Sequence, residues 1–333
     1  MTVPWDYTGN EWAVQLLQKH IASQQIRHAY LFTGPSGTGR GTLAFCFAQA
    51  LLCPQPAEPG VPCGTCRTCQ KVRQEQYPDL SVVRRLVDST QIKIDQIREL
   101  EHTLSLAPYQ SKYRVAMLLR LHEARIESQN ALLKTLEEAP EKVILLVTAD
   151  SPESLLPTIV SRCEVLRLRP MSVNELEQVL KDHYHIPDDQ SRLLSHLSGG
   201  RTGTALAYFR QPELLEQRST AIQWADEIFT ANRRRRFAIA EEITGKKAKE
   251  LTRQVLSAWL SVWRDILLAA AGVDEGWVNV DMREKVTKWA GRLGLNTSRV
   301  MVSQLEEATG SLDANVNPRL LLETLLLDWP TIF

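Results

Sequence analysis

The sequence predicts an α/β domain, a parallel β-sheet with helices on both faces, followed by a small helical lid and an all-α C-terminal domain. Three observations predict it. Short apolar runs bounded by turn residues alternate with amphipathic helical stretches up to about residue 168; the β signal fades after Pro170; and long helical patterns fill the chain from about residue 210 onward. Alternating strands and helices favour a parallel sheet because each crossover helix covers one of its faces. The expected boundaries are 1–168 for the α/β domain, 169–208 for the lid and 209–333 for the helical C-terminal domain.

Residues 11–25 carry Trp12, Leu16, Leu17 and Ile21 at helical spacing. The run His28-Ala29-Tyr30-Leu31-Phe32 reads as a buried strand, and it enters the glycine-rich turn Gly34-Pro35-Ser36-Gly37-Thr38-Gly39 before helical periodicity resumes over Thr42–Leu52. A cysteine-rich loop occupies 53–69. Ile92–Asp95 reads as a strand edge leading into a helix to about residue 106. Tyr113–Leu119, Val143–Thr148 and Glu164–Leu168 are the second, third and fourth strand candidates, with Asn130–Glu138 helical between them. Residues 171–208 form a helical cluster broken at Gly199-Gly200, and 250–271 and 318–328 are helices of the last domain.

Composition bounds what such a chain does. At 333 residues it exceeds the roughly 250 at which single cores stop growing, so several modules are expected. Lys plus Arg equals Asp plus Glu at 39 each, which argues against a free-standing nucleic-acid binder carried by a global positive field. The beginning MTVPWDY lacks a basic stretch followed by an apolar one, and no apolar run approaches the roughly 20 residues of a membrane span. A cytoplasmic protein without membrane contact is expected.

Cys53, Cys63, Cys66 and Cys69 cluster in the loop, and two of their three gaps are the two-residue spacer that lets consecutive thiolates face one ion. Tetrahedral zinc suits four thiolates, and a full cysteine set leaves no open position for substrate, so the site is expected to be structural. Disulfides are the rival pairing, disfavoured in a reducing compartment. Packed cysteines are the plain alternative, but Pro54, Pro56, Pro59, Gly60 and Pro62 give this loop no core pattern. Cys46 and Cys163 read as packing residues.

The turn after the first strand has the glycines of a phosphate-binding loop. That motif also needs a Lys for the β and γ phosphates and then a Ser or Thr hydroxyl for magnesium. Here Gly34, Gly37, Thr38 and Gly39 are present, but Arg40 stands at the Lys position, Gly41 at the hydroxyl position, and Thr42 falls one residue late. An arginine can pair with phosphate yet does not replace an ammonium of different shape. Two readings stay open: a glycine turn with no ligand, or weak binding of ATP or ADP without magnesium.

His28–Pro35, the four-cysteine loop, Asn130-Ala131-Leu132-Leu133-Lys134-Thr135-Leu136-Glu137-Glu138 and Ser161-Arg162-Cys163 occur in that order. The set closely resembles the bacterial DNA polymerase III clamp-loader subunits, an AAA+ family, densely over about 25–208 and diffusely beyond. Two subunit types share the arrangement, the ATP-hydrolysing motor, gamma or tau, and the stator-like delta-prime. In the alignment this resemblance implies, Leu119 and Arg120 fill the places of the acidic pair that holds magnesium, and Gly203 stands where motor subunits carry a sensing arginine, with Arg201 two residues earlier. Thr148 or Asp150 corresponds to the polar sensor at the end of the third strand.

The resemblance therefore implies a subunit without intrinsic ATPase activity. The Ser161-Arg162-Cys163 triplet implies an arginine finger, Arg162, supplied in trans to the ATP of a neighbouring motor subunit, where a guanidinium stabilises charge on the transferring phosphoryl group. A surface pair with an acid such as Glu164 is the plain alternative for Arg162. The implied partners are gamma or tau and delta in a hetero-pentamer, with the sliding clamp and primer-template DNA met through the assembly, and the C-terminal helices packing in a collar. An active gamma- or tau-like ATPase is the competing reading. A zinc module gripping DNA directly is a second, weakened because Arg67 is the one cation in 53–69.

The run Arg233–Arg236, and with it Lys246, Lys247 and Lys249, reads as a solvated helix surface more readily than a DNA contact. Trp259 and Trp263, four apart, read as packing of the C-terminal domain.

Overall fold

The computed structural model describes residues 5, 7–86, 89, 91–245, 248–314 and 316–332; Lys246 and Lys247 lie outside them. The first part of the chain runs α1 (Glu11–Ala22), β1 (Ala29–Thr33), α2 (Arg40–Leu52), α3 (Arg67–Arg73), β2 (Leu80–Val83), α4 (Ile94–Leu104), β3 (Arg114–Leu118), α5 (Ile126–Glu137), β4 (Val143–Ala149), α6 (Pro157–Val160) and β5 (Glu164–Arg167). The strands form one sheet in the order β2-β3-β4-β1-β5, and every pairing is parallel.

The continuous apolar runs are explained by burial on both faces, because successive side chains of a strand point to opposite sides. Tyr30 and Phe32 of β1, Val115 and Met117 of β3, and Ile144 and Leu146 of β4 enter one core with Leu17, Leu43 and Phe47 of α1 and α2. Their neighbours Leu31, Ala116, Leu118, Leu145 and Val147 enter the other, with Ile97, Leu100, Leu132 and Leu136 of α4 and α5. Fully buried side chains of this size contribute about 1.5–3 kcal/mol each, so either face is sufficient to fix the strand register.

Two details differ from the sequence expectation. Ile92 makes only an isolated bridge to Ala124, and the chain enters α4 at Ile94. The edge strand is instead β2, four residues that follow Pro78-Asp79 and are too short for a recognisable alternation. Asp79 anchors that edge. Its buried carboxylate accepts hydrogen bonds from the backbone N–H groups of Tyr109 (2.6 Å), Gln110 (2.8 Å) and Ser111 (2.8 Å), with Arg114 3.6 Å away. Burial alone would raise its pKa; the donors and the guanidinium outweigh burial and lower it.

By contacts the chain divides into two compact units. One runs through Ser172 and takes in Arg201–Thr204; the other holds Val173–Gly200 and the chain from Ala205 on. The helices after the sheet are α7 (Val173–Asp182), α8 (Asp188–Ser198), α9 (Thr202–Arg210), α10 (Pro212–Ile228), α11 (Arg233–Ile243), α12 (Ala248–Ala270), α13 (Arg283–Asp313, kinked at Gly294) and α14 (Pro318–Leu327).

Trp259 and Trp263 are buried in the second unit, as the sequence suggests, and Trp329 meets them edge-on with ring centroids 4.9 and 5.4 Å away. Trp259 Nε1 donates to Ala221 O at 2.7 Å, which satisfies the indole inside the core. The arginine run at the start of α11 is split by its surroundings. Arg236 is buried and donates to Leu326 O (2.8 Å) and Trp329 O (2.7 Å), whereas Arg235 pairs with Glu227 and Glu242 at the surface. No helix of the described residues is long and apolar enough to cross a membrane.

Candidate functional site

Ligands of parallel α/β sheets bind beyond the carboxyl ends of the strands, and here β1 delivers the glycine-rich loop to that edge. Gly37 and Gly39 have φ of 88° and 84°, a left-handed conformation that side chains resist. Neither has room for one: a β-carbon on Gly37 would collide with Thr204 Oγ1, and one on Gly39 would lie 2.8 Å from the Tyr7 ring. Gly203 N–H donates to Gly37 O at 2.8 Å, and the Tyr7 hydroxyl donates to Thr38 O at 3.2 Å. Thr38 folds back on the loop, its hydroxyl donating to Pro35 O at 2.9 Å. Burial raises the pKa of Tyr7, so its proton stays on for that bond.

Arg40 opens α2 and is buried. Its Nη1 lies 2.5 Å from Asp150 Oδ1, an ion pair without hydrogen-bond alignment. The other carboxylate oxygen, Asp150 Oδ2, is 3.2 Å from His122 Nε2, while His122 Nδ1 accepts from Asp150 N–H at 3.3 Å. With Nδ1 accepting, a neutral imidazole carries its proton on Nε2, the nitrogen that faces Asp150 Oδ2. Burial lowers the His122 pKa and the nearby Arg40 and Arg120 add to this, outweighing Asp150.

Gly41 and Leu119, which the sequence reading places at a magnesium site, meet at the same place. Gly41 takes up the first turn of α2, and a β-carbon added there would lie 3.9 Å from Leu119 Cδ2. Arg120, with φ of 59°, turns away to pair with Glu123 at 2.6 Å, and its N–H donates to the buried Thr148 hydroxyl at 2.7 Å. Thr148 orders the end of β3, and Asp150 faces the loop. Thr42, Phe45, Cys46 and Gln49 of α2 instead line a cleft against Val72, Arg73 and Glu75.

Arg162 follows α6. Its Nη2 pairs with Glu137 Oε1 at 2.8 Å, and its Nη1 donates to Thr158 O at 2.9 Å and to Ser161 Oγ at 3.4 Å. The acid that holds it is therefore on α5, and not the neighbouring Glu164. Cys163 packs against the α4–α5 core, where burial pushes its thiol pKa up to about 12.

The four loop cysteines converge. Their sulfur atoms all lie within 4.8 Å of one another, with Cys53 to Cys63 at 3.6 Å and Cys63 to Cys69 at 3.9 Å. Tetrahedral thiolates about 2.3 Å from one zinc would be separated by close to these distances. Backbone N–H groups point at the sulfurs: Cys63 N to Cys53 Sγ (3.5 Å), Cys66 N to Cys63 Sγ and Cys69 N to Cys66 Sγ (both 3.4 Å). Donation from the Cys66 and Thr65 amides lowers the Cys63 pKa to about 6, while burial raises Cys53 and Cys69. Such a set ionises fully only around a cation, so the residues fit a metal ion. The module is tied down through Trp5 Nε1 to Gly60 O (2.9 Å) and Gln49 Nε2 to Cys69 O (3.0 Å). α3 begins at Arg67, within what reads in sequence as loop, because Cys66 caps it.

Comparison with known proteins adds an independent line. The family described as "DNA polymerase III, delta subunit" matches residues 9–172, and "DNA polymerase III, delta subunit, C terminal" matches 212–331. DNA polymerase III subunit delta' of Pseudomonas aeruginosa is 30% identical over 332 residues, covering 96% of this chain and 97% of its own. The same subunit of Bacillus subtilis is 27% identical over 94% of both chains. Subunit tau of Escherichia coli is 30% identical over 207 residues, 61% of this chain but 32% of tau. A gamma subunit-related protein of Thermotoga maritima superposes with a TM-score of 0.47 at 17% identity, covering 95% of this chain and 97% of that one. With whole-length likeness to delta' at this level and both halves matched in order, the chain belongs to the DNA polymerase III delta-prime subunit family.

Proposed function

We propose that the chain is the delta-prime-like member of a clamp loader, a subunit that hydrolyses no ATP and presents Arg162 to the ATP held by an adjacent gamma or tau subunit. The observation that carries this reading is the pairing of Gly41 with Leu119. The two positions that would ligate magnesium carry no side-chain oxygen and face each other at 3.9 Å, measured from a β-carbon placed on the glycine. Without a hydroxyl and a carboxylate at these two positions magnesium is not held, and its charge neutralisation and its orientation of an attacking water are lost.

Arg162 supports the second half. Its side chain is about one-third exposed, and an exposed ion pair of the kind it makes with Glu137 is worth about 0–1 kcal/mol. The guanidinium can therefore leave Glu137 for a neighbour's triphosphate at little cost. The partners on this reading are gamma or tau and delta in a hetero-pentamer, with the sliding clamp and primer-template DNA engaged by the whole, and the C-terminal helices supplying the collar. Cys53, Cys63, Cys66 and Cys69 hold a structural zinc ion that folds the loop before α3.

The test is ATP turnover by the purified chain with magnesium. We expect a rate equal to buffer; turnover at the rate of a working motor subunit would instead favour the gamma- or tau-like ATPase.

A further inference from the structure

The arginine of the glycine-rich loop faces a carboxylate of the same chain. Arg40 sits where the motif puts the phosphate-binding cation and is 7% exposed, and a buried guanidinium without a counter-ion is costly. Asp150, one residue beyond the end of β4, supplies it. Both carboxylate oxygens are committed: Oδ1 to Arg40 Nη1 at 2.5 Å and Oδ2 to His122 Nε2 at 3.2 Å. The backbone of Asp150 is held by the chain beyond β3 and beyond β1, since Asp150 N–H donates to His122 Nδ1 and Gly34 N–H donates to Asp150 O at 3.1 Å. The first glycine of the loop and the carboxylate that faces its arginine are therefore locked together.

We propose that Asp150 is the resident anion of the loop, a tethered carboxylate that neutralises Arg40 and repels phosphate groups. This goes beyond the absence of magnesium ligands, which leaves open whether a polyphosphate binds. It rests on the same assignment of residues 34–42 as a phosphate loop, but concerns anion binding and not hydrolysis. A phosphate approaching Arg40 meets a carboxylate already on the guanidinium, and that like-charge contact disfavours binding. Asp150 itself is 49% exposed, so Asp150→Asn keeps the side-chain shape; the loss of the counter-ion falls on the buried Arg40, which the double variant removes.

The experiment uses the full chain as wild type, Asp150→Asn, and Asp150→Asn combined with Arg40→Gln. Each is titrated with inorganic pyrophosphate without magnesium, at ionic strength fixed by sodium chloride, and followed by thermal unfolding and by the 31P line width of pyrophosphate. We expect the wild type to be unresponsive, Asp150→Asn to bind with an affinity roughly tenfold or more higher, as relief of a like-charge contact implies, and the double variant to lose the gain. Equal response of wild type and Asp150→Asn, or a gain that survives Arg40→Gln, would overturn the proposal. Should Asp150→Asn fail to fold, line broadening by the wild type that Arg40→Gln abolishes would overturn it as well. None of these readouts involves ATP turnover, so silence of the chain as an ATPase neither supports nor harms this result.

Discussion

Gly41 and Leu119 lie against each other beside the glycine-rich loop, 3.9 Å apart once a β-carbon is placed on the glycine. Nothing in the backbone requires a glycine there, since residue 41 is helical and the contact is an ordinary one. Gly41→Ala should therefore stabilise the chain by up to about 1 kcal/mol, because glycine in a helix loses more conformational entropy than alanine. Gly41→Thr restores the hydroxyl and should still leave ATP turnover at background, because Leu119 and Arg120 provide no carboxylate. Denaturant unfolding and a coupled phosphate-release assay check the two outcomes.

Metal removal addresses the cysteine module. We expect about one zinc ion per purified chain, and a marked fall in melting temperature on treatment with a strong chelator, since binding energy at such sites is folding energy. Cys63→Ser should lower the melting temperature of the untreated protein and blunt its response to chelator. A wild-type melting curve indifferent to chelator would contradict the zinc assignment.

The lowered pKa of His122 makes stability depend on pH in a defined direction. A folded-state value below the unfolded value of about 6.5 means that the unfolded chain binds more protons in that window. The contribution is complete above about pH 6.5 and is lost as pH falls through the folded-state value. Between about pH 7.5 and 5.5 the wild type should lose more stability than His122→Gln; parallel curves would show that the imidazole is not held neutral.

The arginine run at the start of α11 should prove unequal. Arg236→Ala leaves the carbonyls of Leu326 and Trp329 without their buried donor, at a cost of about 2 kcal/mol or more. Arg234, exposed at the helix start, should change stability by less than about 0.5 kcal/mol when replaced by Ala. Equilibrium unfolding separates the two.

Much of this architecture is legible in the sequence, for identifiable reasons. The buried central strands announce themselves as continuous apolar runs around Leu31, Met117 and Leu146, and the cysteine spacing brings four sulfurs together because C-x-x-C geometry is local. What escapes depends on distant partners. β2 is too short to show a period, and Asp79 gains its role from a loop thirty residues on. Arg162 finds Glu137 on α5 because the fold, not the chain, makes them neighbours. Among four consecutive arginines only packing decides that Arg236 is the buried one. Asp150 was visible as one of two polar residues at the end of β4, but its pairing with Arg40 depends on β1 and β4 lying side by side. His122 gave no signal at all.

The decisive measurement is reconstitution of the clamp loader with wild-type chain or Arg162→Ala, followed by ATP turnover and clamp loading on primed DNA. We expect assembly to be preserved while turnover at the site facing Arg162 falls by a factor on the order of 10³, as for loss of a finger supplied in trans, with clamp loading reduced accordingly. An intact complex that loads clamps at the wild-type rate would contradict the role given to Arg162.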